Sequence, residues 1–600
     1  MSRWRWSSGV CFVVMAAVTM VTMPSAARDV GGCPSVCQCT EIYYVYCNGL
    51  GLTSDSLHEI LLSVSPEAIF LDLSSNSIER LKPGVLNSVP NLEYLVLANN
   101  HIETIGVSVF HYLHQIKELN LTQNRLKEVS ANVFVNMPNL EKLHLASNEL
   151  SRIQERAFSL PHLQELHLQH NRLTAIRPLQ LSGLPCLTYL DLSHNDIHTL
   201  EVGAFQELSA LRTLRLSHNR LASLAENVFQ GLTSLRHLYL DSNVLPSLDC
   251  FDVPSFASTL QVLVMSNNSL GSIPQDVFPK LQNLKTLAVD HNHISTISQR
   301  AFRDLQLDNL TLAHNDLEAI DRDMFESVRR ISWFDLSHNK IHTIKTGAFD
   351  RFRESVYVLN LAGNRLDTVH RGMFRVMRNL LELNLSSNAL WNIQNATFQE
   401  LTSLSRLDLD DNQLRWLSAD LLRGPTLDML SVVNNPLTSL RGFTFNDTNG
   451  PVSVFVNLTL RAATEYSVTV TWPYEGTQLY WTVRVWCVSV QGTGSCFAGP
   501  REETLPPYRT SHSISDLRPG SRYYVCVLPK FLADSVLVSQ CGLVSTVHKP
   551  STTVTPPSPD GHASHGVAVH THRNHLVSRV CVSLAIMACL LWTRAVSCAA

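Results

Sequence analysis

The chain has 600 residues, more than one compact hydrophobic core usually organises, so several domains or a linear array are expected. Its composition excludes a disordered chain, because 45% of the residues are hydrophobic and only 25 are Gly and 26 Pro. The formal net charge of −4 gives no general attraction to nucleic acid or to anionic membranes.

The N-terminus has the composition of a secretory signal peptide. Arg3 and Arg5 precede an apolar run from Val10 to Met23, and a cluster of small residues ends at Ala27. Residues 1–27 are therefore predicted to be a signal peptide that is cleaved after Ala27. The alternative is a membrane-spanning helix, for which this run is short.

Most of the 14 cysteines lie in clusters, which indicates disulfides and an oxidising compartment. The first cluster, at residues 33–47, has the spacing C-x3-C-x-C-x7-C. It resembles the N-terminal cap of extracellular leucine-rich repeat proteins, here residues 33–66. The resemblance implies the pairs Cys33–Cys39 and Cys37–Cys47. A zinc site is the rival interpretation of these thiols.

The central part of the chain repeats the frame L-x-x-L-x-L-x-x-N sixteen times, as in the segment that runs from Leu211 to Asn219. Successive copies are 23, 24 or 25 residues apart, a period typical of a leucine-rich repeat solenoid. The frame asparagines are Asn76, Asn100, Asn124, Asn148, Asn171, Asn195, Asn219, Asn243, Asn268, Asn292, Asn315, Asn339, Asn364, Asn388, Asn412 and Asn435. We number the repeats one to sixteen by these residues, over residues 67–445.

Apolar and polar residues alternate within each frame, which predicts a short strand with one buried face. The sixteen strands are expected to form one parallel sheet on the inner, concave side of an arc, with a mostly irregular convex side. The frame Asn should satisfy backbone groups of the turn. A Phe ten residues later predicts a buried spine in most repeats: Phe110, Phe134, Phe158, Phe205, Phe229, Phe278, Phe302, Phe325, Phe349, Phe374, Phe398 and Phe445. The array resembles the typical extracellular subclass of the family, which places it in the α/β fold class.

Functional side chains are expected at the variable strand positions, which point out of the concave face. The predicted partner-binding residues, in repeats six to eight, are Tyr189, Asp191, Arg212, Arg215, Arg236, Tyr239 and Asp241. Tyr and Arg are enriched at interface hot spots. The alternative is an ordinary solvated sheet face.

Seven N-x-S/T sequons predict N-glycosylation. They are at Asn120, Asn267, Asn309, Asn384, Asn395, Asn446 and Asn457. Three of them, Asn120, Asn309 and Asn384, fall in strand frames and would place glycans on the concave face in repeats three, eleven and fourteen. A protein partner would then fit between them, on repeats four to ten.

Two features of the repeats leave alternatives open. A His precedes the frame Asn in six repeats, which is compatible with a metal ladder, with a pH switch, or with an ordinary ending of the frame. Cys186 and Cys250 lie two repeats apart, and the sequence does not show that they meet. One of them is expected to be buried and free, or to form an intermolecular bond.

Residues 451–548 have a different pattern, because alternating strands and Pro-Gly turns predict an all-β sandwich. The segment from Leu517 to Val527 resembles the fibronectin type III motif. The resemblance implies that Tyr523 is the corner tyrosine and Trp472 the core tryptophan. Candidate disulfides are Cys526–Cys541 and Cys487–Cys496. The repeats lack the usual Cys-rich C-terminal cap, and direct contact with this domain is one way to cover the last repeat.

The C-terminus combines a Ser/Thr/Pro- and His-rich stalk at 549–575 with an apolar segment at 576–600. Small residues, a spacer and a terminal apolar tail favour a glycolipid-anchor signal. A single span and secretion are the alternatives, and Arg579 and Arg594 count against the span.

These features predict a cell-surface recognition protein, either an adhesion molecule or a co-receptor, that binds an extracellular protein and also has the potential to self-associate. The alternatives are a matrix protein that binds collagen or proteoglycan, and an innate-immune pattern-binding ectodomain. No cofactor, nucleic-acid partner or enzyme activity is expected, because the sequence contains no G-x-S-x-G, H-E-x-x-H or phosphate-binding loop.

Overall fold

The structure is a computed structural model. It describes residues 32–248, 255–278, 280–325, 328–418, 424–425, 427, 429–436, 439–441, 452–455, 459–463, 468–471, 480–489, 501–505, 511–515, 517, 522–530 and 536–545. The predicted signal peptide, stalk and apolar C-terminal segment lie outside these residues, as do Cys250, Phe445, Asn446, Asn457, Trp472 and Cys496. In the part of the chain that is described, no helix is long and apolar enough to cross a bilayer.

The sixteen predicted strands form one parallel concave sheet, which confirms the solenoid. In chain order they are Phe70–Asp72, Tyr94–Val96, Glu118–Asn120, Lys142–His144, Glu165–His167, Tyr189–Asp191, Thr213–Arg215, His237–Tyr239, Val262–Val264, Thr286–Ala288, Gln306–Thr311, Arg330–Asp335, Val358–Asn360, Glu382–Asn384, Arg406–Asp408 and Met429–Ser431. Equivalent residues pair across each step, as Leu190 does with Leu214. The central Leu is buried while its neighbours reach the surface, as in the half-buried–buried–half-buried pattern of Thr213–Arg215.

The frame Asn holds each turn to its neighbour. In repeat seven, the Asn219 amide donates to the Leu192 and Leu216 carbonyls at 3.0 Å. Its oxygen accepts the Ile197 N–H at 3.0 Å. Among the described residues, fifteen of these asparagines are buried, and only Asn388 is half-buried. The predicted structural role of the Asn is therefore confirmed.

The residue before each frame Asn has a left-handed backbone in all sixteen repeats, with φ between 51° and 67°. Asn, Asp and His tolerate this conformation better than most residues, and Gly adopts it freely. These residues are Ser75, Asn99, Gln123, Ser147, His170, His194, His218, Ser242, Asn267, His291, His314, His338, Gly363, Ser387, Asp411 and Asn434.

The Phe spine is confirmed, because the eleven described members are at most 3% exposed. Neighbouring rings stack with centroids 5.9–6.4 Å apart, as Phe302 does on Phe325 and Phe374 on Phe398. The spine is interrupted where Leu181 replaces Phe in repeat five, and Leu181 is itself buried.

The convex side consists of turns and short strands, with little helix. A 3-10 helix at Asp350–Phe352 is described there, and the one described α-helix, Ser56–Leu62, precedes the first repeat. The short strands are Arg80–Leu81, Thr104–Ile105, Glu128–Val129, Arg152–Ile153, Ala175–Ile176, Thr199–Leu200, Ser272–Ile273, Thr296–Ile297, Ala319–Ile320, Thr343–Ile344, Thr368–Val369, Asn392–Ile393, Trp416–Ser418 and Ser439–Arg441.

A disulfide-bonded hairpin closes the first edge of the concave sheet. Its strands are Gln38–Thr40 and Tyr44–Tyr46, and the second one pairs in parallel with Phe70–Asp72 of repeat one. The disulfides are Cys33–Cys39 and Cys37–Cys47, as the resemblance implied. The hairpin covers the apolar end that the first repeat would otherwise expose.

A strand of the following segment continues the sheet at the other end. Val452–Phe455 pairs in parallel with Met429–Ser431 of repeat sixteen and, on its other side, with Val536–Ser545. The last repeat strand therefore has a hydrogen-bonded neighbour on both sides.

The segment from 452 to 545 is composed of strands in its described parts. Their bounds are Val452–Phe455, Thr459–Ala463, Val468–Thr471, Tyr480–Ser489, Arg501–Leu505, Ser511–Ile514, Arg522–Lys530 and Val536–Ser545. The second, third and sixth of these pair antiparallel with one another. The fourth pairs with the fifth and the seventh, and the seventh with the eighth, also antiparallel.

Candidate functional site

The middle of the concave face has two rows of side chains that run across the strands. The register aligns His144, His167, Asp191, Arg215 and Tyr239 in one row. The second row, two residues earlier in each strand, contains Lys142, Glu165, Tyr189, Thr213 and His237. Because each strand is anchored by buried leucines and a frame Asn, these side chains project from a rigid backbone. We call these two rows, together with Arg212 and Arg236, the central patch.

The N-terminal part of the central patch is a stack of rings beside carboxylates. The His144 and His167 rings stack with their centroids 4.6 Å apart, and His167 lies 5.1 Å from the Tyr189 ring. Glu118 Oε1 lies 3.2 Å from His144 Nε2, and Glu165 Oε2 lies 3.4 Å from His167 Nε2. The rings and carboxylates thus fix one another's orientation.

Asp191 is the centre of the patch but is only 6% exposed. Its carboxylate accepts the Tyr189 hydroxyl at 3.1 Å. It also accepts the Ser193 hydroxyl at 2.6 Å and the Ser193 N–H at 3.0 Å. Arg215 Nε lies 3.7 Å from the same carboxylate. Asp191 therefore positions the neighbouring tyrosine and arginine and offers little surface of its own.

Arg215 bridges two repeats, because its guanidinium carbon lies 4.6 Å from the centre of the Tyr239 ring. This is within the distance at which a cation is attracted to an aromatic face. Asp241 accepts the Ser217 hydroxyl at 2.6 Å. Arg212 and Arg236 flank these residues and are exposed.

The electrostatics of the patch favour charged carboxylates and a neutral tyrosine. Hydrogen bonds from His167 and Lys142 lower the pKa of Glu165 to about 2. The neighbouring His144 side chain lowers the pKa of Glu118. Burial, with the Asp191 charge nearby, raises the pKa of Tyr189 to about 12. Burial also lowers the pKa of His237. At neutral pH, Tyr189 therefore remains a hydroxyl donor to Asp191.

The repeats that carry the central patch match a known protein family. The family described as "Leucine rich repeat" matches residues 70–126, 90–150, 138–197, 190–245, 258–317, 306–355 and 354–414, more than half of the chain. The chain is a leucine-rich repeat protein. No curated protein sequence matches it.

Solved structures support the same fold. A leucine-rich repeat protein of Leptospira interrogans is 26% identical, with a TM-score of 0.51, and the match covers 63% of this chain and 92% of that one. The Toll–Spätzle complex, described as a hub in Drosophila development and innate immunity, is 22% identical with a TM-score of 0.58. That match covers 68% of this chain and 55% of the other.

The seven partner-binding residues predicted from the sequence all lie in the central patch or at its edge. Tyr189, Asp191, Arg215 and Tyr239 form one connected chain of contacts. Arg212 and Arg236 are exposed beside that chain, and Asp241 accepts the Ser217 hydroxyl beyond the ends of the strands. The sequence reasoning did not anticipate that Asp191 is buried.

Three sequons lie in leucine-rich repeat strands, as their frame positions predicted. They are Asn120 in Glu118–Asn120, Asn309 in Gln306–Thr311 and Asn384 in Glu382–Asn384. The side-chain amide oxygens of Asn120 and Asn384 accept the backbone N–H groups of Thr122 and Ser386, respectively, at 2.9 Å.

The six histidines before the frame Asn form two stacks of three. Within the first, His194 lies 4.2 Å from His170 and 4.1 Å from His218, measured between ring centroids. In the second, His314 lies 4.1 Å from His291 and 4.3 Å from His338. Their left-handed backbone is a sufficient structural reason for His at these positions. In the described residues, no group of three His, Cys, Asp or Glu is arranged to hold a metal ion.

Two exposed aromatic regions were not predicted from the sequence, because the predicted partner-binding residues lie in repeats six to eight. One comprises Tyr44 and Tyr46 of the cap and Tyr94, all partly exposed, with Phe70 between them. The other is Trp333 in repeat twelve, which is 53% exposed. Aligning the variable strand positions across repeats would have revealed both.

Cys186 is exposed and has no disulfide partner among the described residues. The expectation that one of the two repeat cysteines is buried and free therefore does not hold for Cys186. Cys250 lies outside the described residues.

Proposed function

We propose that this leucine-rich repeat protein is an extracellular cell-surface recognition protein, an adhesion molecule or co-receptor, that binds a protein ligand with the central patch. Members of the family are typically binding scaffolds without enzyme activity, which supports this assignment. The Toll likeness supports the fold alone.

The observation that carries the proposal is the continuous chain of contacts from His144 to Tyr239. It joins five neighbouring repeats through rings, a buried carboxylate and an arginine. Ordered aromatic and arginine side chains lose little conformational entropy on binding, so more of their contact energy appears as affinity. An ordinary solvated sheet face would not require side chains that restrain one another in this way.

The residues of the patch divide into two roles under this proposal. Arg212, Arg236 and the exposed parts of Tyr189, Arg215 and Tyr239 contact the ligand. The buried Asp191 positions Tyr189 and Arg215, and Asp241 fixes the strand end through Ser217.

Glycans would delimit the patch on the concave face. Asn120 lies one repeat before His144, and Asn309 and Asn384 lie in repeats eleven and fourteen. N-linked sugars at these positions would restrict a ligand to repeats four to ten. Asn267, Asn395, Asn446 and Asn457 are further proposed acceptors.

The remaining segments of the chain are proposed to hold the repeats on the outer side of the cell membrane. Residues 1–27 act as signal peptide, 451–548 form a fibronectin type III-like domain, and 576–600 direct attachment of a glycolipid anchor. The partners Cys526 and Cys541 lie directly opposite in antiparallel strands. Such pairs have Cα atoms about 4.5–5.5 Å apart, within disulfide range. The Cys487–Cys496 pair rests on the sequence alone.

The proposal is tested by screening the secreted ectodomain against cell-surface ectodomains, including its own, and then by mutating the patch. We expect Arg215→Ala and Tyr239→Ala each to weaken binding of the selected ligand at least about tenfold, the loss typical of a hot-spot residue. Arg406→Ala, in the concave strand of repeat fifteen, is the matched control and should leave affinity unchanged.

Full affinity of both patch variants would contradict the assignment of the site. A screen that selects only collagen, proteoglycan or microbial ligands would contradict the proposed class of partner. Release of the protein from intact cells by phosphatidylinositol-specific phospholipase C tests the anchor separately, and retention of the protein would contradict it.

A further inference from the structure

Trp333 presents a large apolar surface to solvent on a face that is otherwise mostly polar. Its strand, Arg330–Asp335, belongs to the concave sheet, and the residue is 53% exposed. An indole is among the largest apolar surfaces that a side chain can bury. The strand backbone pairs on both sides, so Trp333 cannot turn inward without breaking the register.

The nearest neighbour of Trp333 toward the N-terminus of the array is Asn309. The two residues are Cα partners in adjacent parallel strands. Such strands are about 4.8 Å apart, and residues in register point to the same face. Asn309 is exposed, and its amide nitrogen has only a long contact of 3.4 Å to the Thr286 hydroxyl. The acceptor nitrogen of the sequon is thus accessible beside an uncovered indole.

The register partner of Trp333 on its other side is Val358 in repeat thirteen, which is half-buried. Between these two neighbours, Trp333 remains 53% exposed. Sugar rings have one face lined by C–H groups, which gains free energy when it leaves water for an aromatic surface.

We propose that Asn309 carries an N-linked glycan whose first N-acetylglucosamine packs on the Trp333 indole. The bond is an ordinary amide linkage formed by transfer of a lipid-linked oligosaccharide to the Asn309 nitrogen in the secretory pathway, with loss of the lipid diphosphate and of the amide proton. The sugar is held at repeats eleven and twelve and forms a fixed boundary of the concave face. The proposal rests on the extracellular location proposed above.

The test is hydroxyl-radical footprinting of the ectodomain secreted by mammalian cells, with oxidation of each tryptophan measured by mass spectrometry. Four samples are compared: the intact high-mannose glycoform, the form trimmed by endoglycosidase H to a single sugar, the form stripped by peptide N-glycosidase F, and Asn309→Gln. Trp416, which is 44% exposed, is the internal control.

We expect a several-fold lower oxidation rate of Trp333 in the first two samples than in the last two, while Trp416 reacts equally in all four. Because one sugar remains after endoglycosidase H, protection in that sample assigns the effect to the first N-acetylglucosamine.

Equal oxidation of Trp333 in all four samples, with sugar present at Asn309, would overturn the packing. Sugar at other sequons with Asn309 bare would also overturn this inference but not the extracellular assignment. A protein without sugar at any sequon would overturn both.

Discussion

The frame Asn shows how a single side chain determines the fold of a repeat. The side-chain amide of Asn219 donates hydrogen bonds to carbonyl groups of its own turn and of the preceding one. Its side-chain oxygen accepts the Ile197 N–H. These backbone groups are buried, so leaving them unpaired costs free energy. The requirement for both a donor and an acceptor excludes apolar residues and explains why the position repeats so strictly.

Asn219→Ala is therefore expected to lower the free energy of unfolding by about 2–4 kcal/mol, since all four hydrogen bonds of the Asn219 side chain are lost within the buried turn. Chemical denaturation followed by circular dichroism measures the change. Asn388→Ala is the graded comparison: Asn388 makes equivalent bonds, but it is only half-buried, so water can replace part of them. A loss below about 1 kcal/mol for Asn219→Ala would contradict the role assigned to the ladder.

The residue before the frame Asn could not be understood from the sequence alone. Six of these residues are His, and sequence reasoning left metal binding, pH sensing and an ordinary turn open. The left-handed backbone favours His, Asn, Asp and Gly for their conformational tolerance, although Ser and Gln also occupy this position. A backbone dihedral angle cannot be read from the spacing of residue types, so only the structure showed why His is found at this position.

At the scale of elements, the two histidine stacks couple neighbouring turns electrostatically. Burial and the charges of His170 and His218 lower the pKa of His194. Burial and the charges of His291 and His338 likewise lower the pKa of His314. The nearby carboxylates act in the opposite direction: Asp191 and Asp241 at the first stack, and Asp290 and Asp335 at the second.

The stacks predict a loss of stability on mild acidification. An unfolded imidazole binds a proton below about pH 6.5, whereas the folded His194 and His314 bind one only at lower pH. Unfolding is therefore favoured as the pH falls below 6.5, and the contribution is absent above it. Because these rings are largely exposed, solvent screening limits the effect to about a few tenths of a kcal/mol per stack.

The double substitution His194→Asn and His314→Asn should reduce the pH dependence of unfolding between pH 7 and pH 5, measured by urea titration. Asn is compatible with the left-handed backbone. His162→Asn, at an exposed residue outside both stacks, is the control and should leave the slope unchanged. The stabilising contribution of Glu165 is lost only between its unfolded pKa of 4.5 and its folded value of about 2, so it does not interfere. An unchanged slope in the double variant would refute the coupling.

Strand positions and the Phe spine were predictable because both follow the fixed period of burial. The internal order of the central patch was not predictable, since it depends on side-chain packing between repeats. Asp191 illustrates this: its frame position is a surface position, but Tyr189, Ser193 and Arg215 enclose it. Trp333 was missed because it lies outside the repeats that sequence reasoning emphasised.

At the scale of the whole molecule, both end strands of the concave sheet are paired, so that the array of repeats offers no free edge strand to other chains. The hairpin strand Tyr44–Tyr46 pairs at one end and Val452–Phe455 at the other. An unpaired edge strand would offer backbone hydrogen bonds to other chains. The sequence alone did not show how repeat sixteen is covered, because the usual Cys-rich C-terminal cap is missing.

Val454→Pro should therefore destabilise the last repeats, because proline removes a backbone donor from the strand that pairs with Leu430. Hydrogen exchange read out by mass spectrometry should become faster in Met429–Ser431. Solenoid stability is a sum of nearest-neighbour terms, so exchange in Tyr94–Val96 should stay unchanged and serves as the internal control. Unchanged exchange in both strands would show that the added strand does not protect the array.

The varying spacing of the frame Asn has a practical consequence for engineering. Copies are 23 to 25 residues apart, yet equivalent concave residues pair one to one across steps of each length, as in Leu166 with Leu143 and Leu238 with Leu263. The extra or missing residues are absorbed on the convex side. A gene spliced at two frame Asn codons would thus shorten or lengthen the array by whole turns and keep the strand register at every junction. The length of the array could then be set independently of the ligand-binding turns.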